Sequence, residues 1–371
     1  MATPAQRTNT WILDEWYDQA VAGTTGGYNG INEIWTWGRN NQAGGLGQNN
    51  LTNYSSPRQI PGTTWAKASG STSSAAIKTD GTFWSWGRND KGELGDNSIT
   101  QRSSPTQVPG TTWSDMSIGW YFMLATKTDG TLWSWGNNEH GNLGQNQAVG
   151  VLEALSSPTQ VGTDTDWNKM AAGWRKSYGI KTDGALWAWG LNSYGQLGQN
   201  NITSTSSPVQ VPGTWNQAAQ GWYHNMLLKT DGTLWALGYY GAGALGQNNN
   251  TNYSSPTQVG TDTTWSDITS AAYASAGVKT DGTLWAWGRN NYGALGQNNA
   301  LPVGNQSSPT QVGTGTDWSS VAMSEDGATY ATYALKTDGT LWGMGYNDYG
   351  NLAQQPATSG YSSPVQIPGT D

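Results

Sequence analysis

The sequence predicts an all-β protein, a closed seven-bladed β-propeller with about four antiparallel strands in each blade. One set of markers recurs seven times along the 371 residues, at a spacing of about fifty, and we number these repeats units 1 to 7. Each unit contains hairpin and turn signals and almost no helical periodicity. The apolar runs carry large side chains on both faces, so each sheet needs a neighbour on either side. Repeats of this length and content are typical of propeller blades.

The most regular marker is the segment K-T-D-G, which occurs in units 2 to 7. Its six lysines are Lys78, Lys127, Lys181, Lys229, Lys279 and Lys336. The Asp-Gly pair supplies positive φ angles, so the segment predicts a tight two-residue hairpin. A W-x-W-G-like strand follows each hairpin, and unit 1 has such a run from Trp35 to Gly38. Both tryptophans of a run share one face of the strand, and we expect scaffold tryptophans such as Trp187 to be buried.

The remaining markers complete each unit. An Asn- and Gly-rich loop leads to L-G-Q, then S-S-P opens a short strand, and a Trp such as Trp265 starts the next unit. The last unit ends near Ile367 with no Trp after it, whereas Trp11 stands near the start of the chain. We therefore expect the strand at Trp11 to pair with the strand that ends near Ile367 and close the ring. This predicts a short N-terminal arm over residues 1–10 and a single propeller domain over residues 11–371.

Composition excludes several classes of function. The net charge of −8 and the pI of about 4.7 leave no basic footprint for nucleic acid or for an anionic membrane. No apolar stretch approaches the roughly 20 residues of a membrane span, so we expect no membrane insertion. With no Cys and two His, thiolate and multi-histidine metal sites are excluded. No paired carboxylates, Ser-His-Asp set or phosphate-binding loop stands out, and we expect a non-enzyme without cofactor or bound metal.

The pattern L-K-T-D-G-T-L-W-x-W-G-x-N-x-x-G-x-L-G-Q, read from Leu228 to Gly238 and from Arg289 to Gln297, resembles the regulator of chromosome condensation repeat family. The resemblance covers roughly residues 11–371 and implies a seven-bladed propeller. It leaves the function open, because members serve as exchange factors for small GTPases, as inhibitors of secreted enzymes, and as modules of ubiquitin ligases and of bacterial or phage surface proteins. The segment Thr8 to Gly38 also resembles the start of structural proteins of marine tailed phages.

Candidate functional residues are those that depart from the repeat. Nineteen of the 23 tryptophans occupy repeat positions, and three of the other four occupy one loop slot in units 3, 4 and 5. Equivalent loops of adjacent blades lie side by side, so these side chains are expected to form one aromatic arc. The predicted partner-binding residues are Trp120, Tyr121, Phe122, Trp174, Arg175, Trp222, Tyr223 and Tyr273. Such residues dominate binding hot spots, whereas the alternative is that the indoles cap the central channel and pack on one another.

Three further features are expected to have structural roles. The family resemblance implies that His224 is a structural histidine bonded within its blade, and His140 fills a loop position where other units have Tyr. The segment Asn89 to Asp96 looks faintly like a calcium loop but lacks the D-x-D-x-D-G order of ligands.

These observations predict a non-enzymatic structural or recognition protein. The first hypothesis is a virion component, such as a tail or surface appendage of a tailed phage, and it draws on the N-terminal resemblance, the scarce Lys and the aromatic arc. Its partners would be other virion proteins or a host-surface protein or glycan, with oligomers formed inside an assembly. The alternative hypothesis is a cytoplasmic protein-binding regulator, similar to the exchange factors or enzyme inhibitors of the family. The arc is the predicted contact surface under both hypotheses.

Overall fold

The computed structural model describes residues 33–41, 43–70, 73–147, 150–298, 304–324, 330–354 and 360–368. Within these residues the chain forms 25 β-strands, and its only helical segments are two three-residue 3-10 turns, Gly241–Gly243 and Asn291–Gly293. The strands of units 1 to 4 are β1 Ile34–Gly38, β2 Tyr54–Ile60, β3 Trp65–Gly70, β4 Ser73–Lys78, β5 Phe83–Gly87, β6 Arg102–Gln107, β7 Trp113–Gly119, β8 Phe122–Lys127, β9 Leu132–Asn137, β10 Ala154–Gln160, β11 Trp167–Ala172, β12 Lys176–Lys181, β13 Ala185–Gly190 and β14 Thr205–Gln220. The strands that follow are β15 His224–Lys229, β16 Leu234–Gly238, β17 Tyr253–Gln258, β18 Trp265–Ser270, β19 Ala274–Lys279, β20 Leu284–Gly288, β21 Gln306–Gln311, β22 Trp318–Met323, β23 Ala331–Lys336, β24 Leu341–Gly345 and β25 Tyr361–Gln366.

Consecutive strands pair antiparallel in chain order, so each unit is a meander. Separate four-stranded sheets contain β3 to β6, β7 to β10, β18 to β21 and β22 to β25. The 16-residue strand β14 is shared, because its first half pairs with β13 of unit 4 and its second half pairs with β15 of unit 5. Strands β11 to β17 therefore form one seven-stranded sheet. The predicted all-β architecture is confirmed.

Neighbouring units pack face to face through buried apolar clusters. Trp86 of unit 2 packs on Ile34 of unit 1. At the other end of the chain, Trp37 of β1 shares a cluster with Tyr333 of unit 7. The Trp37 Nε1 donates to the Asn351 carbonyl at 2.8 Å, so unit 7 contacts unit 1 directly. The sheets thus form a propeller ring around a central cavity of about 470 Å³, lined by residues of the first strands β3, β7, β11, β18 and β22.

The count of seven blades and the closure through Trp11 remain predictions. Trp11 and the predicted arm over residues 1–10 lie outside the described residues. Unit 1 shows two strands, β1 and β2, within the described part of the chain. Ile367, which follows the last strand, is buried in the same cluster as Trp37. Ile367 therefore packs against unit 1 at this cluster.

The K-T-D-G hairpin is wider than the predicted two-residue turn. In unit 6 the Lys279 N–H donates to the Thr283 carbonyl at 3.0 Å, which leaves a three-residue loop. Gly282 has a φ of +77°, whereas Asp281 is not in the left-handed region. The Asp281 carboxylate instead accepts hydrogen bonds from the Thr283 backbone N–H and side-chain hydroxyl, at 3.0 and 2.7 Å. The Asp side chain thus caps the loop, and only the Gly is required for a left-handed backbone conformation.

The two tryptophans of each W-x-W-G run have different environments. The second is fully buried, and Trp189 donates its Nε1 to the Asn142 carbonyl of the preceding unit at 2.9 Å. The first is only half-buried, so the expectation that Trp187 is buried was wrong. It lies beside the motif lysine, and in unit 6 the Lys279 ammonium is 3.8 Å from the Trp285 ring and 4.9 Å from Trp265. The K-T-D-G lysine is therefore a cation clamped between two indoles.

Candidate protein-binding face

The antiparallel meander divides the loops between two ends of the ring. The loops from first to second strand and from third to fourth strand share one end, and the K-T-D-G hairpins lie at the other. The arc residues belong to the first kind of loop, and we call their end the aromatic face. The opposite end is the hairpin end.

The slot loops are short and held by their backbone. Tyr121 and Arg175 have φ of +66° and +63°, in the left-handed region that bulky side chains seldom occupy. Their carbonyls accept the N–H groups of Asn137 and Leu191, at 2.7 and 2.8 Å. A Cβ at Gly119 would overlap the Phe122 ring and lie 2.7 Å from the Gly173 carbonyl, so the glycine before Trp lets adjacent slots approach. Strained backbone that its surroundings hold in place is common at binding sites.

The three non-repeat indoles contact one another in series. The Trp120 and Trp174 ring centroids are 5.6 Å apart, and Trp174 stacks on Trp222 at 5.9 Å with 25° between the planes. Trp222 then contacts Tyr273 at 5.8 Å. All four rings are half-buried. The rings pack on one another, as the packing alternative expected, yet each keeps part of its surface exposed.

The remaining predicted residues do not all join this row. Tyr121 lies 4.1 Å from Trp120, and Tyr223 lies 4.8 Å from Trp174, both as ring centroid distances. Phe122 does not join it, because it is the first residue of β8 and its side chain is fully buried in the apolar core. The prediction that Phe122 contacts a partner was wrong. The aromatic arc is therefore Trp120, Tyr121, Trp174, Arg175, Trp222, Tyr223 and Tyr273.

Arg175 lies over the rings of the arc. Its guanidinium carbon is 4.4 Å from the Trp174 centroid and 5.1 Å from that of Trp120. Its Nη1 donates to His140 Nε2 at 2.7 Å, and its Nη2 is 3.9 Å from a Glu139 carboxylate oxygen. Burial and the nearby Arg175 charge lower the pKa of His140, so the imidazole is neutral and accepts at neutral pH. His140 thus positions the guanidinium, a role that its description as a loop residue missed.

Several neighbours of the arc were not predicted. Arg88 lies 4.2 Å over the Tyr121 ring and donates to the Tyr121 hydroxyl at 2.6 Å. Arg289 lies 4.3 Å over the Tyr273 ring and donates to the Tyr330 hydroxyl at 2.9 Å. Both arginines directly follow the W-x-W-G run, a position that is also Arg in unit 1 (Arg39) and is Asn, Leu or Tyr in the other four units. Comparing this position between units, as was done for Trp, would have revealed them.

Two buried polar side chains support the arc from below. The Lys176 ammonium donates to the carbonyls of Gly221 and Trp222, the latter at 3.2 Å, and so holds the slot of the next unit. His224 Nε2 lies 2.9 Å from Ser275 Oγ in unit 6, so this histidine joins two blades rather than bonding within its own. Burial, together with the Lys176 charge, lowers the pKa of His224 to about 3. His224 is therefore neutral, and its role is structural.

No metal site was found among the described residues, where no group of three or more His, Asp or Glu side chains converges. In the segment that looked like a calcium loop, the Asn89 side-chain amide donates to Asp96 and to the Thr100 carbonyl, at 3.2 and 2.9 Å. Arg102 binds the other Asp96 oxygen at 3.0 Å. These oxygens are used inside the loop. No helix in the described ranges is long and apolar enough to cross a membrane.

The profile of the regulator of chromosome condensation (RCC1) repeat matches residues 80–126, 129–179, 183–228 and 281–328. A second profile of the same repeat matches residues 113–142, 167–196 and 266–294, and together the two cover more than half of the chain. The chain belongs to the regulator of chromosome condensation (RCC1) repeat family. The matches of the first profile include the Trp120, Trp174 and Trp222 slots, and those of the second include the K-T-D-G hairpins of units 3, 4 and 6.

Solved RCC1-like structures have the same fold. Yeast RCC1 (Prp20) bound to Kap60 superposes with a TM-score of 0.79 at 19% identity, over 99% of this chain and 91% of that one. Prp20p from Saccharomyces cerevisiae, in a study of its binding to Gsp1p and histones, gives 0.78 at 20% identity, over 92% and 86%. Human WBSCR16 gives 0.76 at 17% identity, over 90% and 93%. The propeller fold of this RCC1-repeat protein is thereby shown.

One curated relative matches in sequence. The ultraviolet-B receptor UVR8 of Arabidopsis thaliana is 41% identical over 44 residues. The match covers 12% of this chain and 10% of the receptor's length. It is similar to this RCC1-repeat protein over about one repeat.

Proposed function

We propose that this protein is a non-enzymatic, protein-binding propeller that regulates its partner through the aromatic face. The observation that carries the proposal is the arc of three contacting indoles, half-buried and confined to units 3 to 5. Rings that are already packed on their neighbours lose little conformational entropy when a partner covers them. Trp, Tyr and Arg are also the side chains most enriched in hot spots. The arc therefore has the composition and rigidity of a protein interface.

The RCC1-like relatives support the regulator hypothesis over the virion hypothesis. The yeast relative Prp20 binds protein partners, namely Gsp1p, histones and Kap60. Nothing in these relatives supports a tail or surface appendage of a phage. We accordingly assign the chain to the regulators of the family, acting in the cytoplasm, and leave the virion role aside.

A protein partner also fits the arc better than a glycan does. A sugar ring stacks on an open aromatic face. The Trp174 ring has Trp222 stacked against it, the Arg175 guanidinium over it, and Trp120 beside it. Ring edges and hydrogen-bond donors, rather than flat faces, are thus left for a ligand, and these suit backbone and side-chain acceptors of a protein.

The test is recovery of a partner from an extract of the cells that produce the protein, followed by affinity measurement with the purified partner. Trp174→Ala should weaken binding by about 1 to 4 kcal/mol if the indole is a hot spot. The matched control is Tyr292→Ala, because Tyr292 is an aromatic on the same face, 38% exposed, that contacts Tyr346 rather than the arc. Equal losses in both variants, or no loss in Trp174→Ala, would refute the proposal.

The proposal retains seven blades, with a ring closed through Trp11 and a single propeller domain over residues 11–371. Open sheet edges are costly, so deleting residues 1–16 should lower the melting temperature sharply. Deleting residues 1–10, the expected arm, should leave it almost unchanged. A melting temperature insensitive to both deletions would refute the closure.

A second candidate function is a response to ultraviolet light. Indoles are the strongest near-ultraviolet absorbers among side chains, and stacked indoles share their excitation. The Trp174–Trp222 stack with Arg175 over its ring favours this candidate, as does the local match to the ultraviolet-B receptor. An exciton couplet in the near-ultraviolet circular dichroism, lost in Trp174→Phe, together with an irradiation-dependent change in partner binding, would support it. A spectrum with no couplet would exclude it.

A further inference from the structure

The chemistry of the aromatic face indicates which kind of partner it recognises. We propose that the arc binds an acidic segment of a partner protein, whose carboxylates are held by indole edges and by Arg175 and Arg289. This inference rests on the proposed function and names the partner chemistry of the same surface. Ring orientation, charge and the contrast with the hairpin end support it in turn.

The arc presents ring edges and N–H groups rather than ring faces. Trp174 is enclosed by Trp120, Trp222 and Arg175, and Tyr223 lies against it at 4.8 Å with 67° between the planes. An aromatic ring is negative on its face and positive at its edge, and an indole nitrogen only donates. Within the described part of the chain, the Nε1 groups of Trp120 and Trp174 have no hydrogen-bond partner. The exposed rim therefore favours a ligand that is rich in acceptors.

Three guanidiniums lie along the same row. Arg88, Arg175 and Arg289 are 4.2, 4.4 and 4.3 Å from the centroids of the rings beneath them. Stacking fixes the plane of a guanidinium and leaves its N–H edge free for a carboxylate. Arg88 and Arg289 lie over the tyrosines of units 3 and 6, and Arg175 lies over the indoles between them, so one extended peptide crossing the arc meets guanidiniums and indoles.

The nearby carboxylates leave two of these charges available. Arg88 is paired with Asp90 at 2.6 Å. Arg175 has only a long contact to Glu139 at 3.9 Å, and the Glu139 side chain is 57% exposed. Arg289 has no Asp or Glu oxygen within 4 Å in the described ranges. Arg175 and Arg289 are thus weakly compensated cations on a chain of net charge −8.

The hairpin end has the opposite character. Its K-T-D-G lysines lie between tryptophans, and those of units 4, 6 and 7 are paired with Asp as well, as Lys279 is with Asp262 at 2.6 Å. Hydrogen bonds from Thr283 lower the pKa of the exposed Asp281, so this carboxylate stays ionised. An acidic segment is therefore repelled at one end and attracted at the other. This charge complementarity selects the face as well as the ligand.

The direct test uses an oligoglutamate peptide and a matched oligoglutamine peptide as probes, with binding followed by tryptophan fluorescence and calorimetry. Oligoglutamate should bind saturably and oligoglutamine should not, and salt should weaken binding because exposed charges are screened. The double variant R175Q/R289Q should weaken binding at least tenfold, which corresponds to about 1.4 kcal/mol, because it removes two charged donors. The matched control is R58Q, because Arg58 also stacks on a tyrosine, Tyr54 at 5.0 Å, but on the outer strand β2.

Equal binding of the two peptides, or an equal loss in R58Q and in the double variant, would overturn the inference. Competition by inorganic phosphate with no binding of oligoglutamate would overturn the carboxylate assignment as well. Measurements with the purified partner distinguish this inference from the proposed function. If partner binding requires Trp174 but is unaffected by R175Q/R289Q and by salt, only this inference is refuted. Partner binding that survives Trp174→Ala defeats the proposed function itself.

Discussion

At the hairpin end of the ring each K-T-D-G lysine lies between two tryptophans, and at the aromatic face Arg175 lies over two others. The hairpin clamp recurs in six units, and the distance from the ammonium to the ring of the W-x-W-G run ranges from 3.8 Å in Lys279–Trp285 to 5.3 Å in Lys181–Trp187. Among the described residues Arg175 is the one arginine that lies over two indoles, whereas Arg88 and Arg289 lie over Tyr rings. A cation over tryptophan rings thus stabilises the scaffold where it recurs in six units, and it indicates a candidate site where it occurs outside the repeat.

The two regions also differ in what lies beneath them. Below the hairpin clamp are Thr and Asp side chains that cap a loop, as Asp281 does. Below the arc are a buried ammonium, Lys176, and a buried neutral imidazole, His224. Buried polar groups are costly unless they are bonded, so their presence under the arc indicates a surface that must keep one shape. Four predictions test this comparison.

The largest effect is expected within unit 4, where both kinds of Trp occur. Trp189→Ala should lower the free energy of unfolding by about 3 to 5 kcal/mol, because it removes a fully buried indole and its bond to the Asn142 carbonyl. Trp174→Ala should lower it much less, because the ring is half-buried. Chemical denaturation of both variants gives the comparison. Equal losses would mean that the arc is core.

Acid should destabilise the protein through His224. The unfolded chain takes up a proton near the ordinary pKa of 6.5, whereas the folded protein resists until about pH 3. The contribution is therefore fully present above pH 6.5 and is lost as pH falls toward 3. His224→Phe should flatten this part of the pH profile, since Phe122 already fills the same slot in unit 3. Identical profiles for variant and wild type would contradict the assignment.

Removing the ammonium under the arc should have a smaller effect. Lys176→Met leaves the carbonyls of Gly221 and Trp222 without this donor and should lower the free energy of unfolding by about 1 to 3 kcal/mol. It should also raise the pKa of His224, because the Lys176 charge helps to depress it. Near-ultraviolet circular dichroism should report a shifted Trp222. An unchanged spectrum would show that Lys176 does not position the indole.

The smallest effect is expected at the hairpin end. Lys279→Met should lower the free energy of unfolding by about 1 kcal/mol and raise the pKa of Asp262 from about 2, because the Lys279 hydrogen bond is the main cause of that low value. Lys229→Met is the matched variant, since Lys229 is clamped by Trp215 and Trp235 but has no carboxylate within 4 Å among the described residues. A larger loss of unfolding free energy in Lys229→Met than in Lys279→Met would contradict the view that the indole clamp is the contribution the two lysines share.

The sequence predicted the repeat, the strands and the slots, because each follows from local residues at a fixed spacing. It predicted Trp174 beside Trp222 because equivalent loops of a ring must be neighbours. It misplaced Phe122, since strand β8 begins one residue earlier than the loop reading assumed and alternation turns that ring inward. It also misread Trp187 and missed the Arg175–His140 contact, because both depend on side-chain packing that the spacing of residues does not reveal.

Strand β14 links units 4 and 5 without a break, whereas the other units pass from one sheet to the next through a loop. The two units it joins carry Trp174 and Trp222, the stacked pair of the arc. A shared strand makes these two sheets open together or not at all, so their amides should exchange with deuterium as one cooperative block. The middle of the arc therefore sits on the part of the ring least able to flex between blades.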